Sequence, residues 1–225
     1  MNLLLAGVCF LIPIVGPIVV MGWLITGFWA REDAKPETFP AFNFEEFGKY
    51  LERGLWPFLV MLVTSLLLVP VMFVVMIPIF LMTAFLSSHQ GNENAFVVAL
   101  AVIAMVLLYF LMMMLTALIL APFKLRASLT QDFAKSFDLR FAKRFIALTW
   151  KEIIIASLFL MVASIGLSIV GMLALCIGFY FAMVPVYFAW THLNKQIYAL
   201  YLSRGGEPVP RSPKLNDGPP PLTAT

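Results

Sequence analysis

Four long apolar blocks, 2–30, 56–86, 95–123 and 153–190, organise the chain, and none contains Asp, Glu, Lys, Arg or His. A helix needs about 20 residues to cross the hydrocarbon of a bilayer, so each block is long enough to span. The fourth is too long for one crossing. Its 38 residues would make a helix of about 57 Å against a hydrocarbon core of about 30 Å. Its centre, Ser164-Ile165-Gly166-Leu167-Ser168-Ile169-Val170-Gly171, offers small residues for a turn, although the same spacing also suits a helix-packing face. The flanking segments, 124–152 and 191–225, are both basic. They therefore belong on one side of the membrane, and the block crosses twice, as a hairpin of 153–170 and 172–190.

The first block carries Pro13, Gly16 and Pro17 near its middle. Two prolines four residues apart break helical hydrogen bonds and favour a kink. A kinked single crossing gives five spans in all; a re-entrant or double-crossing first block is the alternative. Pro70 and Pro78, with Pro57, kink the second block.

The polar segments set the orientation. All fifteen lysines and arginines fall in 31–55, 124–152 and 191–225, whereas the linker 87–94 has only Glu93. The positive-inside rule puts that linker outside and the basic segments and C-terminus in the cytoplasm. These segments also show helical periodicity. Asn43 can cap a short helix with Phe44, Phe47, Leu51 and Leu55 on one face and Lys49 elsewhere. Later, Phe133, Phe137, Phe141, Phe145 and Leu148 form an aromatic stripe, with Lys135, Arg140, Lys143 and Arg144 on the remaining surface. Such a helix can lie in the headgroup layer or pack against the bundle's own end. Trp56 and Trp150 follow the two amphipathic stretches, and Phe47-Gly48-Lys49 matches Phe141-Ala142-Lys143 at an offset of 94. Residues 1–94 and 95–190 thus read as an internal repeat within one transmembrane domain, 1–204. Beyond it, 205–225 has six prolines and few bulky residues, which predicts a disordered cytoplasmic tail.

Composition agrees. The chain is 62% hydrophobic and 12% charged, with a net charge of +3, where soluble domains run to about 25% charged. The charge is too small and too segregated for nucleic acid, and suits anionic lipid. Cys9 and Cys176 lie in apolar runs and read as packing residues. The start lacks the positive flank and small pre-cysteine residue of a lipoprotein signal.

Candidate chemistry is sparse. No HExxH, GxSxG, GxxxxGK[ST] or GxGxxG occurs, and the spans hold no Asp, Glu, Lys, Arg or His, only the two thiols and a few tyrosines. His89 and His192 fall on opposite sides in this topology, and the methionines read as adaptable packing. No catalytic residue, cofactor or metal is implied. Proton- and ion-coupled carriers keep charges in the bilayer, and none is present here; a neutral or lipidic solute remains compatible, through carbonyls freed beside Pro70, Pro78 or Gly166.

Three stretches, "LIPIVGPIVVMGWLITGF", "FPAFNFEEFGKYLERGLWPFLV" and "RASLTQDFAKSFDLRFAKRF", carry a resemblance. The chain resembles a prokaryotic membrane-protein family known only as a domain of unknown function, number four thousand and thirteen. Pro40, Phe42, Phe44, Gly54 and Trp56 fill its pattern of a proline, aromatics and a glycine ahead of the second span. The resemblance implies a polytopic bacterial or archaeal membrane protein, expected in the inner (cytoplasmic) membrane, and transfers no catalytic residue. The reading is an all-α, polytopic membrane bundle of about five spans plus cytoplasmic amphipathic helices. It would be a non-enzymatic scaffold or accessory subunit with protein partners or self-association in the membrane. The alternative is a transporter or channel for a neutral or lipidic solute.

Overall fold

The computed structural model describes residues 2–30, 39–88, 95–173 and 178–216. Arg31, Lys35, His89, Glu93, Cys176 and the tail beyond Asn216 lie outside them. The described residues form seven α-helices and no strand: α1 (Asn2–Phe10), α2 (Val15–Trp29), α3 (Phe47–Ser88), α4 (Ala95–Thr130), α5 (Phe133–Ser136), α6 (Leu139–Leu173) and α7 (Gly178–Ser203). This is the all-α bundle that the blocks predict. Three helices, α3, α4 and α6, are long and apolar enough to cross a membrane. At about 1.5 Å per residue they are about 63, 54 and 52 Å long, well beyond a hydrocarbon core. The other two expected passages fall on the α1–α2 pair and on α7, neither of which reaches that length and apolarity within the described residues.

The first block breaks at residues 11–14. Pro13 has no amide to continue α1, and Ile14 takes a left-handed φ of 66°. Gly16 then tucks against α1, where a Cβ would lie 2.0 Å from the Cys9 carbonyl oxygen. The two pieces do not reverse direction. Gly7 lies beside Phe181 and Phe10 beside Tyr187; Phe28 then meets Phe188 and His192, and Trp29 meets Tyr198. Contacts thus advance along α7 in one sense, as a broken single passage rather than the fold-back alternative.

One further expectation changes. The reversal in the fourth block does not fall at Ser164–Gly171: α6 runs through Gly166 and Gly171 to Leu173, and α7 starts at Gly178; residues 174–177 lie outside the described residues. A glycine inside a helix costs only about 1 kcal/mol, too little to stop one held by its neighbours. Gly171 instead meets Gly178 at 2.9 Å from a would-be Cβ, whereas Gly166 faces open space. Pro57, Pro70 and Pro78 lie inside the single helix α3, each removing one donor from its ladder.

Burial is concentrated in the half of the bundle nearest the basic segments. In α2, hydrophobic on all faces, Val19, Val20, Trp23, Leu24 and Ile25 are fully buried, as expected of a helix apolar all round. It crosses α3 at glycines: a Cβ on Gly22 would lie 1.7 Å from the Tyr50 carbonyl oxygen, and one on Gly54 1.9 Å from that of Ile18. Farther along, α3 and α4 pair with each other but expose Leu66, Leu67, Val74, Phe80, Phe85 and Leu107.

The backbone contact at Gly54 yields a test. Gly54→Leu is expected to destabilise the protein by about 1–3 kcal/mol or more, lowering its thermal midpoint in detergent. Gly166→Ala, with room for its methyl, should shift stability by no more than about 1 kcal/mol, upward.

Candidate functional site at the basic end of the bundle

Polar chemistry collects where the helices end among the basic segments. Arg53, on the second turn of α3, is only 4% exposed. Its Nη1 donates to Thr26 Oγ1 at 2.9 Å and its Nη2 to the Lys214 carbonyl at 2.6 Å. Thr26 in turn donates to the Gly22 carbonyl at 2.8 Å. One guanidinium therefore joins α2, α3 and the segment after α7.

That segment is the largest correction to the sequence reading. Residues 205–216, expected to be the disordered start of a tail, form an ordered strap. A left-handed Gly205 (φ 81°) ends α7, with Gly206 N donating to Tyr201 O and Gly205 N to Leu202 O, the paired bonds of a Schellman motif. The strap amides of Glu207 and Val209 donate to the Tyr201 and Tyr198 hydroxyls. Ser212 N donates to the Leu129 carbonyl at 2.9 Å. Val209 and Leu215 are buried at 5% and 0% exposure, and Lys214 Nζ meets Glu52 at 2.6 Å. Composition had weighed against order because prolines and small residues cannot bury much surface of their own. Here two apolar anchors enter a core built by other helices.

The aromatic stripe also resolves. Phe133 and Phe137 stack beside Phe123, while Phe141 and Phe145 pack against Tyr201 and are 7% and 1% exposed. That face packs against the protein's own helices, as the second of the two readings expects. The helix is also interrupted: Asp132 caps α5, and Asp138 caps α6 by accepting from Arg140 N and Phe141 N. Arg140, Lys143, Arg144 and Trp150 are exposed. At the first amphipathic stretch Asn43 caps a 3₁₀ turn, Phe44–Glu46, that leads directly into α3. Phe44 is 49% exposed, Phe47 packs against the core and Lys49 pairs loosely with Glu46 at 3.9 Å. The Trp56 indole N–H is buried with no partner among the described residues. Pro40 and Phe42 cover Trp23, whose indole N–H donates to the Pro40 carbonyl at 3.0 Å.

Two ion pairs frame a cavity of about 200 Å³ beside the strap. Arg126 meets Asp138 at 3.0 Å and lies over the Phe141 ring, and Arg144 meets Glu207 and the Gly205 carbonyl. The Phe141 amide, the Arg126 guanidinium and the Arg140 amide hold the Asp138 carboxyl below the usual range. Nearby, Lys124 of α4 lies over the faces of Tyr187 and Trp190, at 5.9 and 5.4 Å. Among the described residues no three of His, Cys, Asp and Glu gather into a metal site. Sequence reasoning missed Arg53, Thr26 and the strap. Helical periodicity offered no signal for Arg53, since it puts that residue off the face of Phe47, Leu51 and Leu55 and so predicts it exposed.

These features define an all-helical membrane-protein bundle with a locked, polar base. The chain belongs to a family described as protein of unknown function (DUF4013), whose model matches residues 5–177. The match runs from α1 through α6 and ends before α7, so the strap lies beyond it. No curated protein and no solved structure matches the chain.

Replacing Arg53 by Gln removes charge-assisted hydrogen bonds worth about 1.5–3 kcal/mol each. Trypsin is then expected to cut after Arg211 and Lys214 several-fold faster than in the wild type. Asp138→Asn keeps a side-chain acceptor at the cap but loses the carboxylate charge beside Arg126 and the start of α6, and is expected to cost about 1 kcal/mol or less at neutral pH. The folded pKa lies below the unfolded value of about 3.9, so this stabilisation is full above that value and lost as pH falls through the folded pKa. The thermal midpoints of wild type and variant should converge on acidification.

Proposed function

We propose that this protein is a non-enzymatic component of a bacterial inner-membrane assembly, a scaffold or accessory subunit, with its basic end and strap in the cytoplasm. The observation that supports this reading is the outer part of the α3–α4 pair. The most apolar stretch of α4 has no residue buried within the chain, and that of α3 only 11%. Two helices apolar on all sides, rising from a rigid base, suit a surface for partner helices or a second copy, where van der Waals packing drives association in lipid. The charge asymmetry of the loops supports the orientation. Pro70 and Pro78 lie inside α3, where each removes one helical N–H donor; a transporter or channel for a neutral or lipidic solute is the alternative reading.

A photocrosslinking residue at Val74 or Leu107, introduced into the protein in its native membrane, tests the proposal. A reproducible protein adduct, homomeric or heteromeric, is the expected result. Lipid adducts alone, together with a monomer on native gels, would count decisively against it.

A further inference from the structure

We propose that the cavity beside the strap is a binding site for a phosphate group, a use of the basic end that is independent of what docks on α3 and α4. Three arginines reach it from two helices. Arg126 comes from the last turns of α4, and Arg140 and Arg144 from the first turns of α6, where a spacing of four places them on one helix face. The opposite wall is the strap, through Glu207, Pro208 and Pro210.

The charges in the cavity do not balance. Asp138 neutralises Arg126 and Glu207 neutralises Arg144, which leaves three guanidiniums against two carboxylates. Arg140 carries the surplus. Its backbone amide is used by Asp138, but its guanidinium makes no hydrogen bond or ion pair among the described residues. An open fork of donors beside two further guanidiniums, each already oriented by a carboxylate, matches an anion with several oxygens. A phosphate can take Arg140 through two oxygens and share the outer N–H groups of Arg126 and Arg144 without displacing either carboxylate. The prolines opposite offer no backbone donors that would compete for the anion.

The location gives two sources of that chemistry. α4 and α6 are both long apolar helices, and the cavity lies at their basic ends, within reach of anionic phospholipid headgroups; it also opens to water and to soluble phosphates.

The test uses the full-length protein in mild detergent. Inorganic phosphate is titrated by calorimetry, and retention of phosphatidylglycerol against phosphatidylethanolamine is followed by native mass spectrometry. Saturable binding of inorganic phosphate assigns the site to soluble phosphates; selective retention of phosphatidylglycerol without it assigns the site to the headgroup. In either case Arg140→Gln should weaken binding about tenfold or more. Lys143→Gln, which removes an equal charge from the same helix outside the cavity, should change it less than about twofold. Arg140 holds no other side chain, so the variant should keep the wild-type thermal midpoint. Absence of saturable binding by both probes, equal losses in the two variants, or binding indifferent to Arg140 would each overturn the proposal.

Discussion

The structure depends on the contact between α2 and α3, where Gly22 and Gly54 let two backbones meet without side chains between them. Any larger residue there would push the helices apart by more than side-chain repacking can absorb. With the helices this close, Arg53 can reach Thr26 on the neighbouring helix. Tyr50 is brought beneath Phe42 in the same way. The strap then completes what the glycines begin, since Lys214 supplies the carbonyl for the other arm of the guanidinium.

Packing is uneven as a result. Near the basic end α2 is surrounded on every side, and the core runs without a gap from Trp23 through Leu129 and Phe145 to Tyr201 and Leu215. Past Thr64 in α3 and before Ala121 in α4 no described residue of either helix is buried. In water such an arrangement would be untenable; in lipid the apolar surroundings make burial unnecessary, and association rests on shape and hydrogen bonding.

Much of this was legible from the residues because the signals were local. Blocks free of charge marked the long helices, Asn43 announced its cap, and Pro13 with Gly16 marked the break in the first passage. What stayed hidden was set by distant partners. The aromatic stripe from Phe133 to Phe145 satisfies two descriptions equally well until Phe123 and Tyr201 are known to face it. Residues 205–216 look disordered by composition because Val209 and Leu215 gain their burial from helices far away in the chain. Gly166 and Gly171 are the same residue type in similar surroundings, yet only Gly171 meets another backbone, and no local pattern separates them.

The strap has a bearing on how the protein is made. Arg53 is synthesised early and inserted beside α2, but the carbonyl of Lys214 emerges only after every helix has been translated. Until then the base lacks the bond that ties its two ends together, and the amphipathic start of α6 has no Glu207 opposite Arg144. A polypeptide halted before that point therefore leaves one arm of the Arg53 guanidinium without the Lys214 acceptor that the later chain supplies.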